Sequence, residues 1–382
     1  MNFFGLERNP GDLFWGLGGA LSMLFVGLTS PFIGAIADYS NKKKYFLLSY
    51  SSVCIIATIS LYFLSSGMIW QGVLLFIIGN IGFEGAIVFY NAFLPQISNT
   101  DNIGKISGYG FALGYVGSLV SLLIAMPYAN LAFARHDLSL MRPTFIWAGL
   151  FFLSFSLPFY IFVKEKKEIV THQKQSILKG YRRTKATLKR IREFPQITNF
   201  LLAYFIYIDG VNTVIYFSGI YASDTLGFSL KEVIQFFAIV QASAISGSYI
   251  FGFLTDKLGP KKTIGLTLIL WMVVTVGGFL ARDATAFYLV GLIAGVAMGS
   301  SQSASRAMMG RLMPKGMEAE FFGFYALTGK FSAILGPLLF GLTSTITNSQ
   351  RVAVLSVLVF FITGFVLLRR VNENITYKNV AL

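Results

Sequence analysis

Along this chain, long apolar blocks alternate with short polar gaps. A helix needs ~20 mainly apolar residues to cross the ~30 Å hydrocarbon core of a bilayer. Eleven blocks meet that length, at roughly 12–36, 45–65, 70–95, 105–127, 143–163, 197–222, 231–254, 263–281, 286–313, 319–345 and 350–369. They predict an all-α polytopic membrane protein. Between the fifth and sixth blocks, the segment 164–196 is polar and strongly basic, with Lys166, Lys167, Arg182, Arg183, Lys185, Lys189, Arg190 and Arg192. It reads as a linker, which divides the chain into an N-terminal bundle (1–163), the linker (164–196), a C-terminal bundle (197–370) and a tail (371–382). Within the linker, 178–193 is either a short amphipathic surface helix or a solvated connector, the second being favoured.

Orientation follows from the basic residues. One set of alternate gaps holds 24 Lys and Arg, among them Lys42, Lys43, Lys44, Lys261 and Lys262; the opposite gaps hold six, and Lys330 is left inside a span. The positive-inside bias puts the linker and the C-terminus in the cytoplasm. Eleven spans then leave Met1 outside.

Composition agrees with the block pattern. Of 382 residues, 55% are hydrophobic and only 13% charged, against about 25% charged in an ordinary soluble protein. The net charge of +14 needs no nucleic acid, because the basic residues sit in the gaps rather than on one polar face. The single cysteine, Cys54, rules out a disulfide within the chain, and His136 and His172, far apart in loops, suggest no metal or haem site. Arg8, Pro10 and Asp12 precede any long apolar run, unlike a cleavable signal peptide. No Walker loop is visible, so ATP is not the expected energy source, and no cofactor is expected. An enzyme would need paired acids, a Ser-His pair or His-rich ligands at membrane depth, and none is present.

An internal repeat organises the blocks. Gly34, Asp38, Lys43 and Lys44 recur as Gly252, Asp256, Lys261 and Lys262, at an offset of 218 residues. Gly108 and Gly114 recur as Gly323 and Gly329, at an offset of 215. Parallel repeats of this kind are a known transporter architecture. Moved back by the first offset, the span 197–222 would have its partner mostly upstream of Met1. The expectation is therefore two pseudo-repeat bundles, the first lacking its first helix, with a true eleven-helix protein as the alternative.

The duplicated Gly-Asp-Lys-Lys loop resembles the signature loop of the major facilitator superfamily. Several longer stretches are similar to its vacuolar amino-acid effluxer branch, associated with autophagy, and to that branch's bacterial relatives: Phe89 to Pro95, Ser107 to Gly117, Ser301 to Arg306, Glu320 to Tyr325 and Gly329 to Pro337. The branch's first helix, with its Asp-Trp-Ala-Asn type motif, is missing at the front. The resemblance implies a major facilitator fold and efflux of a small solute, with amino acids as one class. It implies a monomer in a lipid bilayer, in this case a bacterial cytoplasmic membrane. A lipid flippase or scramblase, a non-transporting receptor and a transporter remnant stay open on the same fold.

Ionisable side chains inside a span are costly and usually face a cavity or a partner. Glu84, Asp209 and Lys330 each lie about ten or eleven residues, hence about 15–16 Å, from the predicted cytoplasmic end of their helix. That is near the bilayer midplane, where transporters place their sites. Glu84 is the candidate proton-coupling acid; Asp209, near Asn212, is a candidate for a substrate amine or for pairing with Lys330. Lys330 could instead hold a substrate carboxylate, and Asn91 and Asn212 are the polar candidates beside these charges. The loop residues Gly34, Asp38, Lys43, Lys44, Gly252, Asp256, Lys261 and Lys262 are read as gates, with Arg306 completing the lock together with Glu318 or Glu320. Tyr90, Tyr204, Tyr207 and Tyr216 are weaker candidates for lining a pocket. Gly34, Gly108, Gly114, Gly323 and Gly329 are expected to permit close helix packing rather than to touch solute.

Overall fold

A computed structural model describes residues 11–65, 67–166, 184–187, 189 and 191–374. It contains eleven helices or helix pairs long and apolar enough to cross a membrane, and each coincides with one of the apolar blocks. Lipid leaves no water to satisfy backbone groups, so a spanning segment must bond its own N–H and C=O, which favours helix in every block.

The helices are α1 (Gly11–Ser40), α2 (Lys43–Ser60), α3 (Ile69–Ala92), α4 (Ile103–Arg135) and α5 (Pro143–Phe162). After the linker come α6 (Pro195–Asp224), α7 (Leu230–Leu258), α8 (Pro260–Leu280) and α9 (Ala284–Leu312). The tenth block is a broken helix, α10 (Glu318–Phe331) and α11 (Leu335–Thr347), and the last is α12 (Gln350–Ser356) followed by α13 (Leu358–Leu368). Most of the linker expected at 164–196 lies outside the described residues; within it, 184–187 are helical.

Two compact units emerge, and each borrows from the opposite half of the sequence. The first combines Met1–Ala92 and Ser121–Tyr181 with Ala319–Leu327; the second combines Phe93–Val120, Arg182–Glu318 and Thr328–Leu382. In the first, α3 packs on both α1 and α2, and α5 on α2. In the second, α9 packs on α7 and α8, and α13 on α6 and α8. Small residues make the closest approaches. A Cβ on Gly82 would stand 2.6 Å from the Cys54 nitrogen, and one on Gly247 would stand 2.5 Å from the Val296 carbonyl oxygen. The outward positions carry exposed Leu, Phe and Ile, such as Leu113, Phe155, Phe162 and Ile346, as a lipid-facing surface requires.

Candidate gating and coupling sites

The repeated aspartates do one job twice. Asp38 lies in the last turn of α1 and is 4% exposed. Its two carboxylate oxygens accept the backbone N–H groups of Ala319 at 3.1 Å and Glu320 at 2.8 Å, the second and third residues of α10. Asp256, in the last turn of α7, accepts the N–H of Gly104 at 2.6 Å and of Lys105 at 2.9 Å, again the second and third residues of a helix, α4. The first N–H groups of a helix lack partners within it and carry partial positive charge, so a carboxylate is their natural acceptor.

The glycines permit these caps. A Cβ on Gly34 would run into the Ala319 carbonyl, and one on Gly323 would come within 2.6 Å of the Pro31 backbone. In the other unit, a Cβ on Gly108 would lie 2.5 Å from the Ser248 carbonyl oxygen, and one on Gly252 would lie 3.1 Å from the Gly104 carbonyl oxygen. Gly114 differs from that expectation: nothing stands within 4 Å of its Cβ position, so it mediates no packing.

The lysine pairs diverge between the repeats. Lys43 is buried and forms a 3.0 Å ion pair with Asp38. Lys44 instead donates its ammonium to the Val163 carbonyl, 2.7 Å away at the end of α5. In the second copy, Lys261 reaches the carbonyls of Arg369 at 2.9 Å and Val371 at 2.6 Å, beyond α13, while Lys262 is exposed. Among the described residues Asp256 has no counterpart of the Asp38–Lys43 ion pair: its carboxylate is taken up by backbone donors. The reason is local. Gly259, at positive φ, separates Asp256 from Lys261, whereas Asn41 turns the chain so that Lys43 folds back on Asp38.

Two glutamates complete the arrangement, and sequence reasoning missed both. Glu165, just beyond α5, accepts the N–H groups of Lys43 at 2.7 Å and Lys44 at 3.2 Å, and so caps α2. Glu373, just beyond α13, accepts the N–H of Lys261 at 2.8 Å and caps α8. Each lysine-bearing helix start thus exchanges bonds with one helix end: ammonium to carbonyl in one direction, carboxylate to N–H in the other. The available signal was a Glu shortly after the last span of each half.

Arg306 is 5% exposed on α9. It donates to the Ser107 hydroxyl at 3.0 Å and the Ser107 carbonyl at 2.7 Å, and its guanidinium lies 4.3 Å from the centre of the Phe111 ring. The Ser107 hydroxyl passes the chain on to the Ser303 carbonyl at 2.7 Å.

Of the intramembrane candidates, Asp209 is fully buried at the middle of α6. Both its oxygens accept the N–H of Gly336, each at 2.9 Å, at the start of α11. The pairing with Lys330 read from their common depth is not formed, because the helix break brings backbone donors to the carboxylate first. Lys330 lies in the last turn of α10 and is half-buried. Glu84 and Asn212 are half-buried and Asn91 is buried. Tyr204 and Tyr207 are core residues, Tyr207 sharing a 2.7 Å hydrogen bond with Ser305, whereas Tyr90 and Tyr216 are exposed. No cluster of three or more His, Cys, Asp or Glu suited to a metal occurs among the described residues.

Eleven candidate membrane spans among the described residues and a family match over nearly the whole chain make this a membrane transporter of the major facilitator type. The chain belongs to the family described as vacuole effluxer Atg22 like, whose model matches residues 2–380. It is 33% identical over 364 residues to the uncharacterized MFS-type transporter YxiO of Bacillus subtilis, covering 93% of this chain and 83% of that one. It is 26% identical to autophagy-related protein 22 of Kluyveromyces lactis, covering 90% of this chain and 76% of the relative. Its fold is similar to that of the human organic anion transporter MFSD10 (TM-score 0.73, 16% identity, 95% of this chain and 86% of that chain). It is similar also to the proton:xylose symporter XylE (TM-score 0.73, 14% identity, 94% and 86%).

Proposed function

We propose that this transporter works by alternating access and exports a small solute in a proton-coupled cycle, with neutral amino acids the solute class to test first. It acts as a monomer in a bacterial cytoplasmic membrane, with the linker and C-terminus on the cytoplasmic side. The observation that supports a gating cycle most is the pair of equivalent caps, Asp38 on α10 and Asp256 on α4. Each joins the end of a helix from one sequence half to the start of a helix from the other. A cap of this kind contributes about 0.5–2 kcal/mol, so both can break and re-form within a transport cycle, and solute binding can supply the difference. Glu84, an acid inside a span, is the candidate coupling group.

The test is flux of labelled neutral amino acids in proteoliposomes, with and without a pH gradient, for the wild type and Glu84→Gln. Gradient-driven flux that disappears in Glu84→Gln is the expected result. Folded, inserted protein that moves no amino acid would sink the solute assignment, and lipid scrambling in the same vesicles would replace it with a lipid scramblase.

A further inference from the structure

The tenth span does not run straight through. α10 stops at Phe331, residues 332–334 form a turn, and α11 restarts at Leu335. Irregular backbone at membrane depth is tolerated only where protein or a cavity satisfies its polar groups. Here a side chain from another span does so. Gly336 N–H points at Asp209 and is shared between its two carboxylate oxygens, at 2.9 Å each. Pro337, next in the first turn of α11, has no N–H to satisfy. Gly336 also admits the approach: a Cβ there would collide with the Thr213 hydroxyl and stand 2.7 Å from an Asp209 oxygen. The Thr213 hydroxyl is itself tied back to the Asp209 carbonyl at 2.7 Å. Phe360 and Phe361 close the neighbouring side, 3.0 Å from the Cβ position of Gly210.

This buried acid is held by a helix start rather than by a cation. Among the described residues no cation forms an ion pair with Asp209, and Arg192 and Glu193 lie in the 191–193 turn that leads into α6. α11 and α13 carry no ionisable side chain. Arg306 and Arg311 lie toward the end of α9, and Lys261 and Lys262 lie in the first turn of α8. Lys231, Glu232, Asp256 and Lys257 lie in the end turns of α7, where Tyr249 is exposed. Glu318 and Glu320 open α10 and Lys330 lies in its last turn; Tyr288 belongs to α9 and Arg351 to α12. On α6 itself, Tyr207 is engaged with Ser305, and Tyr204, Tyr216, Tyr221 and Asp224 are the other ionisable groups.

We infer that Asp209 is a proton-binding latch on the broken tenth span: the charged carboxylate holds the start of α11, and its protonation frees α11 to move about the 332–334 turn. Loss of the negative charge removes the attraction to the helix start, and the neutral acid keeps one oxygen as a good acceptor and turns the other into a donor. The step transfers one proton from hydronium to one carboxylate oxygen: an O–H bond of the hydronium breaks as the carboxyl O–H forms, and water is left. As a coupling device it rests on the proton-coupled reading above, but it assigns a second titrating group, distinct from Glu84, and names the part that moves.

The latch can be read without transport. Cys54 is the only cysteine, so Cys54→Ala with Ala333→Cys puts one label on an exposed position inside the turn. An environment-sensitive fluorophore there, in nanodiscs, is titrated between about pH 5 and pH 9. The expected result is one emission transition that persists in Glu84→Gln and vanishes in Asp209→Asn, which keeps the shape and one acceptor oxygen. Gly336→Ala, which drives a methyl into Thr213, is expected to give the low-pH spectrum at every pH. A transition that survives Asp209→Asn, or no transition in the parent protein, overturns the latch. A normal transition in a protein that moves no solute would leave the latch standing and sink the transport reading instead.

Discussion

The Asp38 carboxylate accepts the backbone N–H of Glu320, 282 positions further along the chain, at 2.8 Å. The contact has a counterpart in Asp256 and Lys105, 151 positions apart and running in the opposite direction along the sequence. Two copies of one local motif therefore cap two helices that lie in each other's half of the chain. The copies differ in one respect with energetic weight: Asp38 also carries a buried ion pair with Lys43, and Asp256 does not.

That difference predicts unequal costs for the same substitution. Asp38→Ala breaks the buried ion pair with Lys43, and removing one partner of such a pair costs about 3–5 kcal/mol. Asp256→Ala removes only a cap, at about 0.5–2 kcal/mol. Thermal melts in detergent are expected to show the larger loss for Asp38→Ala, with part of it recovered when Lys43→Met is added. Equal losses would remove the ion pair as the cause.

The glycines separate by what faces them. Gly34→Ala pushes a methyl into the Ala319 carbonyl and should destabilise by about 1–3 kcal/mol through overpacking. Gly114→Ala, inside α4 with open space around it, should stabilise by about 0.5–1 kcal/mol through helix propensity. The same melts check both.

Glu165 and Glu373 should be separable by where protection is lost. In Glu165→Ala, hydrogen exchange is expected to quicken at the start of α2, at Lys43 and Lys44, while the start of α8 is unchanged. Glu373→Ala should give the mirror result, at Lys261. Each loss corresponds to about 1 kcal/mol of cap energy.

Arg306→Lys keeps the charge but loses the planar fork that reaches both Ser107 oxygens and lies over Phe111. Hydrogen bonds from a charged donor contribute about 1.5–3 kcal/mol, and lysine cannot reproduce that geometry. A clear drop in melting temperature is the expected outcome; an unchanged one would show that the charge alone matters.

The sequence by itself determined the eleven spans and the repeat. Hydrophobicity summed over ~20 residues is a large, local quantity, since lipid rejects an unsatisfied or charged segment wherever it lies in the chain. The Gly-Asp-Lys-Lys spacing was legible for the same reason: the end of one helix and the start of the next are written in adjacent residues. Tertiary structure alone decided what each carboxylate meets. Nothing near Asp38 in the sequence names Ala319, and nothing near Asp209 names Gly336, because a free N–H at a helix start accepts any carboxylate that packing brings within about 3 Å. The break at 332–334 falls inside one apolar block, so hydrophobicity alone did not locate it. Gly336 and Pro337 permit a restart, but it took the approach of Asp209, 127 positions earlier, to satisfy the N–H that the restart exposes.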